Sequence, residues 1–198
     1  MENDHTLLDA ARKMDKDALV KIFDLYSSAL YNYALRLSNN PGMAYHIVGD
    51  VFAKLLDQLA TGNGPKDYLR SYLYKMTYHQ MIDEARRSRR TVSLEVITLL
   101  RQDANSAFPG WEDQIMFKQV LHAMQGELTD DQRHVIILRF LEEFSVRETA
   151  AILGKTVSNI KIIQSRAIVA LRRSFEHQGI RKVLSSPGIR SASKAFGD

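Results

Sequence analysis

Residues 128–173 have the sequence LTDDQRHVIILRFLEEFSVRETAAILGKTVSNIKIIQSRAIVALRR, and this stretch decides the fold class. Thr129 and Ser145 are each followed three residues later by Gln or Glu, the capping-box pattern that marks a helix start. Gly154 tolerates the left-handed backbone that commonly ends a helix. The pattern therefore predicts a scaffold helix followed by a helix-turn-helix.

The second helix of this predicted pair has two different faces. Thr156 can cap it, and it is expected to run from Val157 into the Arg172–Arg173 region. The apolar residues that recur at helical spacing and form the predicted inward stripe are Val157, Ile160, Ile163, Ala167 and Leu171. The opposite face is polar and basic, as major-groove binding requires, and consists of Ser158, Lys161, Ile162, Ser165 and Arg166. A structural bundle with a solvated outer face remains the alternative explanation.

Composition narrows the class of protein. An apolar content of 45% and a charged content of 25% are ordinary for a folded domain, and four Pro and ten Gly in 198 residues favour an all-α fold. The net charge of +4 is compatible with nucleic-acid binding. The absence of cysteine excludes disulfides, thiolate zinc sites and cysteine nucleophiles. A polar N-terminus and the lack of a long apolar run predict a cytoplasmic protein without a signal peptide or membrane span.

The first half of the chain predicts three helices. Residues 1–16 are expected to be a leader, either loose or a short helix. A helix over 17–38 has an apolar face that includes Leu19, Ile22, Phe23, Tyr26, Leu30, Tyr33, Ala34 and Leu37. An Asn-Asn-Pro-Gly break precedes a helix over 43–59, and residues 61–65 form a predicted flexible loop before a third helix that begins near Lys66.

The third predicted helix interleaves aromatic and basic residues. Its apolar side contains Leu69, Leu73, Met76 and Ile82. Its other side carries Tyr72, Lys75 and His79, a combination that suits single-stranded nucleic acid because bases stack on rings while cations neutralise phosphates. Half-buried packing tyrosines remain the alternative.

The second half contains the second predicted domain. Residues 91–110 lose periodicity and are expected to form a flexible linker, and residues 111–176 form a helical domain that includes the helix-turn-helix. The tail, residues 177–198, is rich in Ser and Gly and is predicted to be disordered. The predicted architecture is all-α, with two small helical domains, 17–90 and 111–176, joined by that linker.

In this order, the features resemble the extracytoplasmic-function (ECF) group of sigma-70-type RNA polymerase sigma factors. In the first domain the resemblance rests on residues 31–37, 47–55, 72–76 and 82–87, and in the second on 128–139 and the helix-turn-helix. It implies a sigma2-like helical bundle followed by a sigma4-like domain. It also implies a promoter-specificity subunit that is not an enzyme, needs no cofactor or metal, and has core RNA polymerase, promoter DNA and an anti-sigma factor as partners.

The resemblance assigns roles to particular residues. Those expected to dock on core polymerase are Val48, Asp50, Val51, Phe52 and Leu55. Those expected to bind and open the minus-ten element are Asn63, Lys66, Tyr72, Lys75, His79, Arg86, Arg87, Arg89 and Arg90. The outer face of the last helix, with Ser158, Lys161, Ile162, Ser165 and Arg166, is expected to bind the minus-thirty-five element.

The chain departs from the family pattern at several of these positions. Tyr45 and His46 stand where acidic residues are usual, and Gly49 stands where Gln is usual, so the docking surface is expected to be less acidic. Tyr72 replaces a frequent Trp and keeps a stacking ring, whereas His79 takes a position often held by Asn.

Two other functions are weighed against this one. A stand-alone helix-turn-helix regulator that acts as a dimer would give a palindromic footprint without polymerase. An enzyme such as a helical hydrolase is disfavoured because the six histidines lack metal-ligand spacing, and neither a glycine-rich phosphate loop nor a nucleophile elbow is present.

Overall fold

The structure is a computed structural model that describes residues 4–91 and 120–177, and every regular element within them is helical. Nearly all of the predicted linker and tail therefore lie outside the described residues. Contacts between residues divide the chain into two units. The described residues of Met1–Asp103 and Arg147–Thr156 form one, and those of Ala104–Val146 and Val157–Asp198 form the other.

The predicted N-terminal leader contains a short helix rather than a loose segment. Helix α1, Asp4–Arg12, packs against α2 and α3 of the first unit. Leu7, Leu8 and Ala11 are buried, and they recur on one helical face. The first helical bundle therefore begins before the predicted boundary at residue 17.

Helices α2, Lys16–Ser38, and α3, Pro41–Ala60, meet at the predicted Asn-Pro break. Asn39 adopts the left-handed conformation, with φ of 51°, and ends α2. Asn40 then caps α3, because its Oδ1 accepts a hydrogen bond of 3.0 Å from the backbone N–H of Met43. Pro41 occupies the first turn of α3, where its missing N–H costs nothing.

Helix α4, Leu69–Thr91, completes the first bundle by packing on α2 and α3. The rings of Tyr33 and Tyr74 lie 5.2 Å apart between their centroids, and both residues are fully buried. The buried side chains that these three helices contribute include Ile22, Leu30, Tyr33, Ala34, Ile47, Val51, Leu55, Leu69, Leu73, Tyr74 and Thr77. This core positions α3 and α4 side by side.

The inward face of α4 differs in part from the predicted stripe. Leu69 and Leu73 are buried as predicted, but Met76 and Ile82 are only half-buried. Thr77 is buried instead, and it fits an apolar core because its hydroxyl donates a 2.9 Å hydrogen bond to the Leu73 carbonyl of its own helix. A polar residue whose side chain bonds to its own backbone gives no sign of burial in a hydrophobicity pattern.

Among the described residues of the second unit, helical residues 120–127, called α5, come first, and α6, Asp130–Ile136, follows. The predicted capping box at the start of α6 is confirmed. The N–H of Gln132 donates to Thr129 Oγ1 at 3.4 Å, and the N–H of Thr129 donates to Gln132 Oε1 at 3.0 Å. A π-helical turn, Ile137–Leu141, extends α6.

The predicted turn between the two helices of the helix-turn-helix is also confirmed. Helix α7 spans Val146–Leu153, and Gly154 follows it with φ of +63°. The N–H of Lys155 donates to the Ala150 carbonyl at 2.9 Å, the bond that closes a Schellman motif. Helix α8 then runs over Val157–His177.

The inward stripe of α8 is confirmed at its centre and wrong at its start. Ile160 and Ala167 have no exposed surface, whereas Val157 is 39% exposed. Gln164 is buried in the stripe; its Oε1 accepts a 3.1 Å hydrogen bond from Nε of Arg139, which follows α6, whereas its Nε2 is buried without a hydrogen-bond partner.

The C-terminal part of α8 packs against α5. Phe175 and Ala123 are buried together, and Val120 and Leu171 pack partly buried around them. This cluster anchors the C-terminal part of α8, while α6 also packs against this helix.

Gly154 provides a test of the turn. Gly154→Ala is expected to lower the free energy of unfolding by about 1 kcal/mol, because a Cβ disfavours positive φ. Gly154→Asn is the matched control and should cost less, since Asn adopts this conformation more readily. Urea denaturation of the three proteins measures the difference; equal stability of the Ala variant and the wild type would contradict the turn.

Candidate nucleic-acid interface

The outer face of α8 is exposed at every predicted position. Ser158, Lys161, Ile162, Ser165 and Arg166 are exposed, and they recur at the spacing that places residues on one helical face. Ile162 is 51% exposed although it is large and apolar. This face therefore offers cations for phosphates, hydroxyls for base edges and one apolar group that fits a thymine methyl.

The basic and aromatic face of α4 is partly tied to its neighbour α3. Lys75 and His79 are exposed, but Tyr72 is half-buried and its hydroxyl donates a hydrogen bond to Gln58 Oε1 of α3. Burial raises the pKa of Tyr72, so its hydroxyl stays protonated and remains a donor. The ring of Tyr72 is therefore held in place at its hydroxyl end.

The loop between α3 and α4 is joined to the end of α3 by a backbone hydrogen bond. Gly62 has φ of +74°, and its N–H donates to the Leu59 carbonyl at 3.1 Å. A Cβ on Gly64 would lie 2.7 Å from Leu59 Cδ2, so only glycine fits here without a shift. The loop follows the end of α3 closely and leaves Asn63 and Lys66 exposed.

The arginine cluster near the end of α4 has exposed members in local ion pairs. Arg86 lies 3.7 Å from Asp83 and Arg87 lies 3.6 Å from Glu84. Surface pairs of this kind contribute little, so both guanidinium groups can exchange their carboxylates for DNA phosphates. The side chains of Arg89 and Arg90 lie outside the described residues.

Two residues predicted to dock on polymerase are core residues. Val51 and Leu55 are 0% and 1% exposed, so they offer almost no side-chain surface to a partner, and their docking role stays a prediction. Val48 and Phe52 are also largely buried. The cause is geometric: the apolar stripe of α3 faces α2 and α4. Asp50 is half-buried and accepts a 2.7 Å hydrogen bond from Gln80 Nε2.

An exposed apolar groove between α2 and α3 was missed by the sequence analysis. Val20, Phe23 and Leu56 are 59%, 48% and 41% exposed, and the ring of Phe23 lies 4.8 Å from that of Phe52. The groove has a volume of about 300 Å³ and is lined by Lys16, Leu19, Val20, Ile22, Phe23, Phe52, Leu55 and Leu56. Phe23 belongs to the apolar pattern of α2, and periodicity alone placed it in the core.

The described helices offer neither a metal site nor a membrane span. Within residues 4–91 and 120–177, no group of three or more His, Asp or Glu side chains is placed to hold a metal ion. None of the helices in those ranges is both long and apolar enough to cross a membrane.

Comparison with family models identifies the protein family to which the chain belongs. The family model described as Sigma-70 region 2 matches residues 22–91, and the model described as Sigma-70, region 4 matches residues 126–173. Together they cover more than half of the chain, and they occur in the order expected for a two-domain sigma factor. The chain belongs to the ECF group of the sigma-70 family.

Curated relatives of this chain are also RNA polymerase sigma factors. The ECF RNA polymerase sigma factor BldN of Streptomyces coelicolor is 28% identical over 84% of this chain and 64% of its own length. The ECF RNA polymerase sigma factor SigX of Bacillus subtilis is 25% identical over 78% of this chain and 82% of its own. The RNA polymerase sigma factor YlaC of Bacillus subtilis is 26% identical over 81% of this chain and 93% of its own length.

Solved structures share the fold of this sigma factor. CnrH, in complex with the cytosolic domain of CnrY, matches with a TM-score of 0.66 at 20% identity over 88% of this chain and 97% of CnrH. RpoE of Bartonella quintana, in complex with the anti-sigma factor NepR, matches with a TM-score of 0.60 at 24% identity. The match covers 79% of this chain and 95% of RpoE. The all-α fold with two helical domains is thereby confirmed.

Proposed function

We propose that this sigma factor directs core RNA polymerase to specific promoters and initiates transcription there, without a catalytic centre of its own. The observation that carries the proposal is the presence of both sigma regions on one chain, each with an exposed cationic face. Such a subunit contributes binding energy and positioning, while the polymerase supplies the chemistry. The protein would act in the cytoplasm, where polymerase and promoters are found.

The outer face of α8 would bind the minus-thirty-five element in its major groove. Lys161 would neutralise a phosphate and position the duplex, which gives affinity without sequence preference. Arg166 would donate two hydrogen bonds to a guanine, and Ile162 would contact a thymine methyl. The exposure of these three side chains on one face supports this division of roles.

The loop before α4 and the face of α4 would bind the minus-ten element and favour its open form. Lys75, Arg86 and Arg87 would neutralise phosphates, and the ring of Tyr72 would contact an unstacked base. Asn63, Lys66 and His79 are exposed close by in sequence and would complete this surface, together with Arg89 and Arg90.

Core polymerase would dock on α3 and on the adjoining groove. Of the predicted docking residues, Asp50 is only half-buried and Phe52 lines the groove. Val20, Phe23 and Leu56 add exposed apolar surface beside them. Exposed apolar surface of this kind is typical of protein interaction sites. An anti-sigma factor would inhibit the protein by covering its polymerase-binding surfaces; RpoE, which was solved with NepR, supports such a partner.

The stand-alone dimeric regulator has no comparable support. The region 2 match over residues 22–91 covers the part of the chain that such a regulator would use for dimerisation or sensing. A palindromic footprint by the protein alone would favour it, whereas a footprint that requires polymerase would favour the sigma function.

In vitro transcription with purified core polymerase tests the proposal. The complete chain should convert core polymerase from non-specific to promoter-specific initiation, with start sites that map downstream of shared minus-ten and minus-thirty-five sequences. Core polymerase alone serves as the control. Identical transcripts with and without the protein, once any inhibitor has been removed, would refute the function.

Tyr72 provides a further prediction. Tyr72→Ala should slow strand opening by roughly tenfold because it removes a stacking ring, with little effect on initial binding. Tyr72→Phe keeps the ring but loses the hydrogen bond to Gln58. This variant therefore distinguishes the effect of base stacking from the effect of the hydrogen bond that holds the ring. Permanganate reactivity of unpaired thymines measures opening; normal opening by the Ala variant would contradict the stacking role.

A further inference from the structure

The side chain of Tyr68 is highly exposed and does not belong to the core of the first bundle. It lies immediately before α4 and is 82% exposed, the largest exposure among the large apolar or aromatic side chains that the structure describes. Its neighbour Leu69 is 2% exposed, so the backbone is anchored at this point while the ring of Tyr68 is in solvent.

The position of Tyr68 favours other residue types. Its carbonyl accepts the first hydrogen bond of α4, 3.0 Å from the N–H of Tyr72, which makes it the residue that caps the helix. Ser, Thr, Asp or Asn would stabilise the helix there through a side-chain oxygen, and a tyrosine ring does not. Tyr68 also has φ of +53°, a conformation that costs energy for a bulky side chain.

The surroundings of Tyr68 suit a nucleic acid. Lys66 precedes it, and Lys75 and His79 follow on the α4 face that already carries Tyr72. Tyr68 lies four residues before Tyr72, at the end of α4 from which that face begins. Asp67, beside it, lies 3.1 Å from Nε2 of His5, which connects the loop to α1.

We propose that Tyr68 is a second aromatic platform, on which an unpaired base of the opened promoter strand stacks, one helical turn before Tyr72. An exposed ring offers a flat surface to a base of any identity, and the adjacent lysines neutralise the phosphates on either side of that base. This inference rests on the proposed sigma function and adds a base-binding residue to it.

The test uses the complete chain assembled with core polymerase. Tyr68→Asn replaces the ring with a residue that caps helices and accepts positive φ, so its melting temperature should equal or exceed that of the wild type. Promoter opening should nevertheless slow by roughly tenfold, the loss expected for one base stack. A residue with only a structural role would change both quantities in the same direction. Tyr68→Phe keeps the ring and should open promoters at the wild-type rate.

A spectroscopic measurement locates the base. 2-Aminopurine is placed at successive unpaired positions of a pre-opened promoter, where stacking on a ring quenches its fluorescence. Quenching at one position that disappears with Tyr68→Asn and persists with Tyr68→Phe supports the inference. Wild-type opening and unchanged fluorescence in Tyr68→Asn would overturn it while leaving the sigma function intact. Failure of the wild-type holoenzyme to open any promoter would overturn both.

Discussion

Val20→Asp is expected to abolish the association of this sigma factor with core polymerase while leaving the protein folded. Val20 is 59% exposed at the groove between α2 and α3, so a carboxylate there remains hydrated in the free protein. In the complex the carboxylate would be desolvated against an apolar partner, and Lys16, which also lines the groove, would offset only part of that cost. A remaining cost of about 3 kcal/mol corresponds to a loss of affinity of roughly 100-fold.

Leu25→Asp is the matched control for this experiment. Leu25 lies on the same helix and is 61% exposed, but it does not line the groove. The same change of charge should therefore leave polymerase binding close to wild type. Pull-down with core polymerase and the thermal unfolding of both variants give the comparison. Equal binding by both variants would remove the groove from the docking surface.

Arg166→Ala is expected to reduce the preference for the correct minus-thirty-five element by 10- to 100-fold. Arg166 is exposed on the outer face of α8, and a bidentate contact between arginine and guanine is worth about 1–3 kcal/mol of discrimination. Arg166→Lys keeps the charge but cannot form the bidentate contact, so it should retain affinity and lose selectivity.

The control for Arg166 lies on the same helix. Arg172 is exposed on the same side of α8 but lies beyond the five predicted DNA-binding residues, nearly two turns after Arg166, so Arg172→Ala should leave the preference between promoters unchanged. Binding of holoenzyme to a set of promoters with single substitutions in the minus-thirty-five element measures the effect at a fixed salt concentration. Unchanged selectivity in Arg166→Ala would refute the proposed role of α8.

The sequence predicted local features well where a single residue type determines the backbone. The capping box at Thr129 and the left-handed Gly154 are confirmed because they depend on neighbouring residues alone. The exposed face of α8 follows from the same spacing that buries Ile160 and Ala167. The roles of that face and of the minus-ten residues remain predictions.

Partner surfaces could not be predicted in the same way. An apolar stripe on a helix is compatible with both a core and a docking site, so Val51 and Leu55 were assigned to the polymerase although they are buried. The same ambiguity placed Phe23 in the core although it is 48% exposed. Tyr68 was missed because an aromatic residue at a capping position gives no periodic signal. One signal for Tyr68 was nevertheless present in the sequence: a tyrosine stands immediately before a helix, where Ser, Thr, Asp or Asn is usual.

The burial of α1 has a practical consequence for mutagenesis by truncation. Leu7, Leu8 and Ala11 cover apolar surface of α2 and α3, so a version of the protein that starts at Asp15 would expose that surface to water. Such a shortened protein would be prone to aggregate. Its inactivity would then be mistaken for evidence that the first dozen residues take part in transcription.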